Sequence, residues 1–145
     1  MEFDKTCTGI GTTGTNSSNS ETIEILYNDC YGGFSLSDEA VKLYQMYTGK
    51  TIDKYTNDVN TRMDPILIRI YYEILNRING SCANICTHSI KRKYMKHIHI
   101  HEYDGMESVE INMEQYKLDK IKEVINNNDD ISAIKVLITE ILAEI

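Results

Sequence analysis

The chain has 145 residues, enough for one domain with a single core, and its apolar content of 41% and charged content of 26% are typical of globular proteins. Its net charge of −7 argues against broad nucleic-acid binding, which depends on neutralising phosphates with Lys and Arg. No apolar run approaches the roughly 20 residues that a membrane helix needs, and the N-terminus has no pattern of a secretory signal. We therefore expect a cytoplasmic protein whose four cysteines are free thiols.

Residues 1–20 are dominated by Thr, Ser, Gly and Asn. A segment of this composition buries too little apolar surface to offset its ordering entropy. We predict a low-complexity tail over residues 1–20, an α+β core domain over 21–112 and a C-terminal helical extension over 113–145.

The first predicted strand ends before a pair of glycines. An apolar run from Ile23 to Tyr27 stops at a polar pair, and Gly32 and Gly33 follow. Ser37 then has the features of an N-cap, because two acidic residues and an apolar stripe come after it. Gly49 stands where the glycine that ends a helix is expected. We refer to Tyr31, Gly32 and Gly33 as the glycine junction. It is either a strand-to-helix connection or a site where free backbone N–H groups hold an anion.

The second predicted helix has the clearest boundaries in the sequence. Asp64 is its expected N-cap, Pro65 occupies the first helical position, and Gly80 marks its expected end. Its apolar residues recur with helical spacing on one face, at Leu67, Ile70, Tyr71, Ile74, Leu75 and Ile78. This pattern predicts a helix packed on the core.

A β-hairpin is predicted around Asp104 and Gly105, after a weaker strand over residues 83–90. Apolar and polar residues alternate over 96–103 and again over 106–112, and the Asp-Gly pair favours a two-residue turn. In that register Glu102 faces Glu107. One face of the hairpin is then apolar, and the other carries His97, His99, His101, Ser108, Glu110 and Asn112.

Two amphipathic helices are predicted after residue 113, separated by the polar run 126–130. The second is rich in isoleucine, so it must pack on the sheet or on another chain. The predicted fold is α+β: a small, mainly antiparallel sheet of about four strands, with helices packed on one face and a C-terminal helical hairpin.

The three histidines of the hairpin have two interpretations. Alternate strand residues share a face, so His97, His99 and His101 could converge on a metal ion with Glu110 nearby. The same face must be solvated if the other one is core, and histidine is common on polar sheet surfaces. We favour the second interpretation and predict neither a metal nor a cofactor.

The facing carboxylates Glu102 and Glu107 also have two interpretations. Like charges opposite each other destabilise a sheet unless water, a proton or a cation compensates. The pair is either a solvated hairpin tip or part of a site in which Arg62 reaches it. In the second case Tyr103 and the glycine junction border the same cleft.

Three sequence blocks resemble a known family. They are CYGGFSLSDEA from Cys30, RMDP from Arg62 and EYDGME from Glu102. The chain is similar there to a family of short uncharacterised proteins of phages, large DNA viruses and some bacteria, with no assigned activity. The resemblance implies a viral or mobile-element origin. Its blocks supply the candidate ligand- or partner-binding residues Tyr31, Gly32, Gly33, Ser35, Arg62, Asp64, Glu102, Tyr103, Asp104 and Glu107.

The sequence contains no nucleophile elbow, P-loop or zinc-protease motif. Two hypotheses remain. The preferred one is a non-enzymatic interaction or assembly protein, with a protein partner or self-association through the C-terminal helix. The alternative is a small enzyme or ligand-binding protein that uses the glycine junction and the Glu102/Glu107 carboxylates.

Overall fold

A computed structural model of the protein describes residues 21–144. These residues fall into two compact units, one ending at Glu110 and the other beginning at Ile111. The predicted tail, residues 1–20, lies outside the described residues. The described part confirms the α+β class, with five α-helices and four strands. The strands are divided between two two-stranded sheets.

The first sheet pairs two strands that are distant in sequence. Strands β1 (Thr22–Asn28) and β2 (Ile85–Lys91) are antiparallel, with Ile25 opposite His88. The end of the sheet at which Asn28 pairs with Ile85 is fully buried, because neither residue has solvent exposure. β2 therefore confirms the weaker strand prediction, displaced by two residues at its start.

The first helix begins and ends as its sequence predicts. Helix α1 is Asp38–Thr48, and the Ser37 side chain accepts a hydrogen bond from the amide of Ala40. Gly49 ends the helix in the left-handed conformation (φ 71°), where glycine is the favoured residue. The helix is thus capped at both ends, and its buried residues, Ala40 and Tyr44, face the core.

A short helix, α2 (Val59–Arg62), lies between α1 and helix α3 (Pro65–Ile74). Asp64 caps α3 by accepting from the amide of Ile66, 2.8 Å away. The helix ends earlier than the sequence predicts. Leu75 has a φ of 50°, which breaks the α-helix, and the chain continues as a 3-10 helix over Leu75–Ile78. Leu75 is therefore exposed, although its spacing predicted a core position.

The main core lies between α1, α3 and the first sheet. It consists of the buried residues Leu26, Phe34, Leu36, Ala40, Tyr44, Leu67, Ile70, Tyr71, Ile74, Ile78 and Ile85. Burial of side chains of this size contributes about 1.5–3 kcal/mol for each large aliphatic group.

The second sheet is the predicted hairpin, formed by β3 (Ile98–Tyr103) and β4 (Met106–Ile111). Both turn residues have positive φ, 51° at Asp104 and 87° at Gly105, as a type I′ turn requires. β3 begins two residues later than predicted. The preceding segment, Arg92–His97, is a 3-10 helix that buries Tyr94.

The second unit contains helices α4 (Met113–Asn127) and α5 (Ile131–Ala143). Asn112 caps α4 by accepting from the amide of Gln115, and Asp130 caps α5 by accepting from the amide of Ser132. The Lys117 ammonium, early in α4, donates to the Leu142 carbonyl, late in α5, at 3.3 Å. The two helices are therefore antiparallel, as predicted.

Within residues 21–144, no helix has both the length and the apolar content needed to cross a lipid bilayer.

A hydrogen bond between α1 and the cap of α3 makes stability sensitive to alkaline pH. The Tyr44 hydroxyl donates to Asp64 Oδ2 at 2.7 Å, and this bond, helped by burial, raises the pKa of Tyr44 to about 12. A folded pKa above the unfolded value of 10 means that the folded state holds its proton more tightly. We expect the stabilising contribution to be complete below pH 10 and to be lost as the pH rises through 12.

The measurement is urea unfolding of the wild type and Tyr44→Phe at several alkaline pH values. The stability advantage of the wild type over the variant should shrink between pH 10 and 12. An advantage independent of pH would contradict the assignment of this bond.

Candidate functional site

Arg62, at the end of α2, has no solvent exposure although it carries a full charge. Its Nε donates to the Thr56 carbonyl at 2.9 Å, and its Nη1 donates to Glu107 Oε1 at 2.6 Å. The guanidinium carbon also lies 3.6 Å from the centre of the Phe34 ring. An arginine in this position is held by hydrogen bonds, charge and stacking at once.

Glu107, on β4, joins three parts of the chain. Its side chain is 5% exposed, and the oxygen that accepts from Arg62 also accepts from the backbone N–H of Asn28, at 2.8 Å. One carboxylate oxygen thus links the hairpin to α2 and to the end of β1. Every buried side-chain nitrogen and oxygen within residues 21–144 has a hydrogen-bond partner, so this network is fully satisfied.

The tip of the hairpin lies against the glycine junction. Asn28 Nδ2 donates to the carbonyls of Cys30 and Gly105, at 2.7 and 2.8 Å. A Cβ on Gly105 would lie 2.4 Å from the Tyr31 carbonyl oxygen and 2.6 Å from the Gly33 nitrogen. The hairpin tip therefore occupies the space beside the junction where the sequence allowed an anion, and the junction is a docking surface for the protein's own turn.

Replacement of Gly105 by alanine is expected to be the most disruptive change at this contact. The added methyl group would overlap backbone atoms that cannot move independently. Gly33→Ala is a matched control, because Gly33 has nearly the same φ (84° against 87°) but open space around its Cβ position. The control should cost about 1–2 kcal/mol, the usual price of a left-handed residue.

Gly105→Ala should cost clearly more than this control in urea unfolding. Equal losses of unfolding free energy for the two variants would contradict close packing of the tip on the junction.

The two facing carboxylates have different environments. Glu102 Oε1 accepts from the Gly105 amide at 2.6 Å within the turn, and its side chain is exposed. Glu107 is buried and paired with Arg62. The repulsion expected between the two carboxylates is therefore compensated. Glu102 accepts a hydrogen bond within the turn and is solvated, and Glu107 pairs with a buried arginine.

The remaining candidate residues divide into those with structural contacts and those that are exposed. Ser35 is buried and donates to the Ser81 carbonyl at 3.2 Å, and the half-buried Asp64 caps α3. Tyr31 and Tyr103 are 63% and 73% exposed, and Asp104 is exposed at the turn. The exposed residues are therefore the ones accessible to a partner.

A pocket of about 370 Å³ lies between α2 and the hairpin. Its lining residues are Asn57, Val59, Arg62, His99, Ile100, Glu102 and Glu107. Because the Arg62 side chain is fully covered and Glu107 nearly so, the accessible polar groups are Asn57, His99 and Glu102. These groups can form hydrogen bonds, and the carboxylate of Glu102 supplies a negative charge.

The histidines do not form a metal site in the described part of the chain. His97 lies in the 3-10 helix before β3, so only His99 and His101 are on the strand. His99 Nε2 lies 3.0 Å from Glu110 Oε2, across the hairpin, with both side chains about half exposed. No group of three His, Cys, Asp or Glu side chains within residues 21–144 has the arrangement of metal ligands.

The cysteines have different states. Cys30 and Cys82 are free, whereas Cys86 is disulfide-bonded. The prediction of free thiols is therefore wrong for Cys86. Its spacing in the sequence carried no information on pairing.

Sequence reasoning missed the central role of Asn28. This side chain is fully buried at the end of β1, where it donates to two carbonyls and accepts from the amide of Asn84. An asparagine directly after an apolar run was a signal that it could satisfy backbone groups at the strand end.

The second unit presents an apolar surface. None of the thirteen described residues of α5 is buried, and Ile131 and Leu142 remain 69% and 58% exposed. On α4, Leu118 and Ile125 are 51% and 53% exposed. We call these four residues the apolar face of α4 and α5.

The four residues share one side of the helical pair. On a helical wheel, each pair is displaced in the same rotational sense from the half-buried stripe of its own helix. Since α4 and α5 contact each other, we infer that the two stripes form this contact. In an antiparallel pair, equal displacement brings both sets to the same side. Ile131 and Leu142 are eleven residues apart, so the face extends about 16 Å along α5.

Comparison with protein-family models, curated proteins and solved structures gives no match to this chain.

Proposed function

We propose that the protein is a non-enzymatic assembly protein that binds a second copy of itself through the apolar face of α4 and α5. The observation that carries this proposal is the exposure of Leu118, Ile125, Ile131 and Leu142 on one side of a two-helix unit. A pair of helices can cover only one stripe of each member, and an apolar face left over requires another surface.

A second copy suits this face better than a charged partner does. Between Ile131 and Ala143, α5 carries only one positive and one negative residue, Lys135 and Glu140. Two such helices bring no net charge against each other, and Lys135, four residues from Ile131, is the only charge of α5 on the side of the apolar face. When two copies pack their α4–α5 helix pairs face to face, they form a symmetric four-helix bundle, a common form of closed dimer.

The first unit supports a binding role over a catalytic one. Arg62 and Glu107, the most unusual charged residues of the fold, satisfy each other and are covered from solvent. Such a pair holds elements in place and has no free group for acid–base chemistry. The resemblance to virus-associated proteins supports an origin in a virus or mobile element, with action in the host cytoplasm or in a virion.

Co-expression of two differently tagged full-length copies tests this proposal. We expect each tag to retrieve the other copy, because subunits assembled during expression exchange partners at random. Retrieval of only the tagged copy, with both copies folded, would overturn self-association.

A second candidate function is favoured by the pocket between α2 and the hairpin. Its accessible polar groups are Asn57, His99 and Glu102, and only Glu102 is an acid, so a small cationic group is the ligand class that fits. We propose binding of such a group as the alternative function of the protein. Titration with a simple alkylammonium salt should shift the amide NMR signals of His99 and Glu102, and Glu102→Gln should abolish these shifts. Unchanged spectra would exclude it.

A further inference from the structure

The two free cysteines of residues 21–144, Cys30 and Cys82, lie at the contact between the glycine junction and the loop before β2. Cys30 Sγ is 2.9 Å from the carbonyl oxygen of Cys82 and 3.3 Å from Oδ1 of Asn28. The two cysteines are 52 residues apart in sequence. Their proximity is therefore a product of the fold rather than of local chain geometry.

Only a glycine separates the two backbones beside these thiols. A Cβ at Gly32 would lie 1.8 Å from the Cys82 carbonyl oxygen and 2.5 Å from Cys82 Cβ. The Cys82 side chain thus begins against the backbone two residues from Cys30. Disulfides need closely spaced Cβ atoms, and this approach of the backbones brings the pair toward that requirement.

Cys82 is also the accessible member of the pair. It is exposed, in a turn where its own φ is 61°, a conformation that non-glycine residues adopt infrequently. Cys30 is half-buried behind it. An external reagent therefore reaches Cys82 first, and Cys30 is placed to react second.

We propose that Cys30 and Cys82 form a reversible disulfide by exchange with a small disulfide such as oxidised glutathione. The Cys82 thiolate attacks one sulfur of the reagent, its S–S bond breaks, and one glutathione thiolate leaves. The Cys30 thiolate then attacks the Cys82 sulfur of this mixed disulfide and displaces the second glutathione. The two cysteine thiols are oxidised, one glutathione disulfide is reduced to two thiols, and the cysteine protons pass to the leaving thiolates.

The surroundings tolerate the loss of the Cys30 proton. Asn28 Oδ1, one of its two acceptors, also accepts from the Asn84 amide at 2.8 Å. Oxidation therefore leaves no buried asparagine oxygen without a donor. The new bond would join the glycine junction to the loop before β2 and close a long stretch of chain, which restricts the unfolded state.

The experiment treats the full-length protein with oxidised glutathione, blocks remaining thiols by alkylation, and maps the cysteines by mass spectrometry. Trypsin with a glutamate-specific protease separates Cys30 from Cys7, because Glu21 and Glu24 lie between them. Peptide fragmentation then distinguishes Cys82 from Cys86. Cys30→Ser and Cys82→Ser are the matched variants, and a thermal melt of each establishes that it is folded.

We expect a linked peptide containing Cys30 and Cys82 in the wild type, reversed by dithiothreitol, and a higher melting temperature for the oxidised protein. Cys30→Ser should instead retain glutathione on Cys82, since the second thiol is missing. Recovery of both wild-type cysteines as alkylated thiols would overturn the proposal. Stable glutathione adducts on the wild type without the linked peptide would also overturn it.

Discussion

Arg62→Met is expected to destabilise the protein by about 3–5 kcal/mol, the usual cost of removing one partner from a buried ion pair. Methionine removes the guanidinium that stacks on Phe34, and it leaves the Glu107 carboxylate covered with the Asn28 amide as its remaining donor. The loss should appear in urea unfolding followed by circular dichroism. Hydrogen exchange at the Asn28 amide should accelerate as well, because this donor shares its acceptor with Arg62.

Arg77→Met is the matched control for this prediction. Arg77 lies in the same unit and forms an ion pair with Glu39, but the distance is 3.6 Å and the side chains are 66% and 46% exposed. Exposed pairs of this kind contribute about 0–1 kcal/mol. If Arg62→Met cost no more than Arg77→Met, the buried pair would not be what holds the hairpin to the rest of the unit.

The double variant Arg62→Met with Glu107→Gln separates the pair from its surroundings. Removing both charges leaves no uncompensated ion, and the Gln side chain keeps an oxygen for the Asn28 amide. We expect the double variant to lose less stability than the sum of the two single variants, with a coupling of about 1–3 kcal/mol. Additive losses would show that the two residues act independently.

Leu142→Glu is expected to abolish self-association of the full-length protein. A carboxylate within a packed apolar face must lose water without gaining a partner, and two copies would bring two such charges together. The side chain is 58% exposed in the single chain, so the helical pair itself should remain folded. Light scattering after size exclusion should give the mass of one chain.

Val136→Glu is the control for this change. Val136 is as exposed as Leu142, 59% against 58%, but lies about 120° around α5 from it, so the same new charge there meets water in both the single chain and the assembly. We expect its mass to equal that of the wild type. Dissociation by both variants would indicate a general charge effect, and dissociation by neither would place the contact elsewhere.

Local signals in the sequence predicted the ends of elements well. Ser37, Asp64 and Gly49 cap helices where their side chains or backbone conformations suit such positions. The turn at Asp104 and Gly105 followed from the need for two positive φ angles. These features depend on a few neighbouring residues, so they can be deduced without knowledge of the tertiary structure.

Features that depend on distant contacts were not predictable in the same way. Leu75 continues an apolar stripe, yet its positive φ ends α3 five residues before Gly80. Residues 96 and 97 begin the predicted strand but belong to the 3-10 helix Arg92–His97, in which Tyr94 is buried. In both places tertiary packing overrode a local pattern.

The candidate site shows the same division. The sequence predicted that Glu102 and Glu107 face each other, and one of its two interpretations had Arg62 reaching them. It could not show that Arg62 forms its ion pair with Glu107 and not with Glu102, because that depends on where α2 lies over the hairpin. The role of Asn28 was missed for the same reason, since its two carbonyl partners include Gly105, 77 residues away.

Sedimentation equilibrium of the untagged, full-length protein over a wide concentration range tests the proposed self-association most directly. The apolar face predicts a weight-average mass that rises with concentration from one chain toward two, as mass action requires for a reversible dimer. A mass of one chain at every concentration would contradict the proposed function.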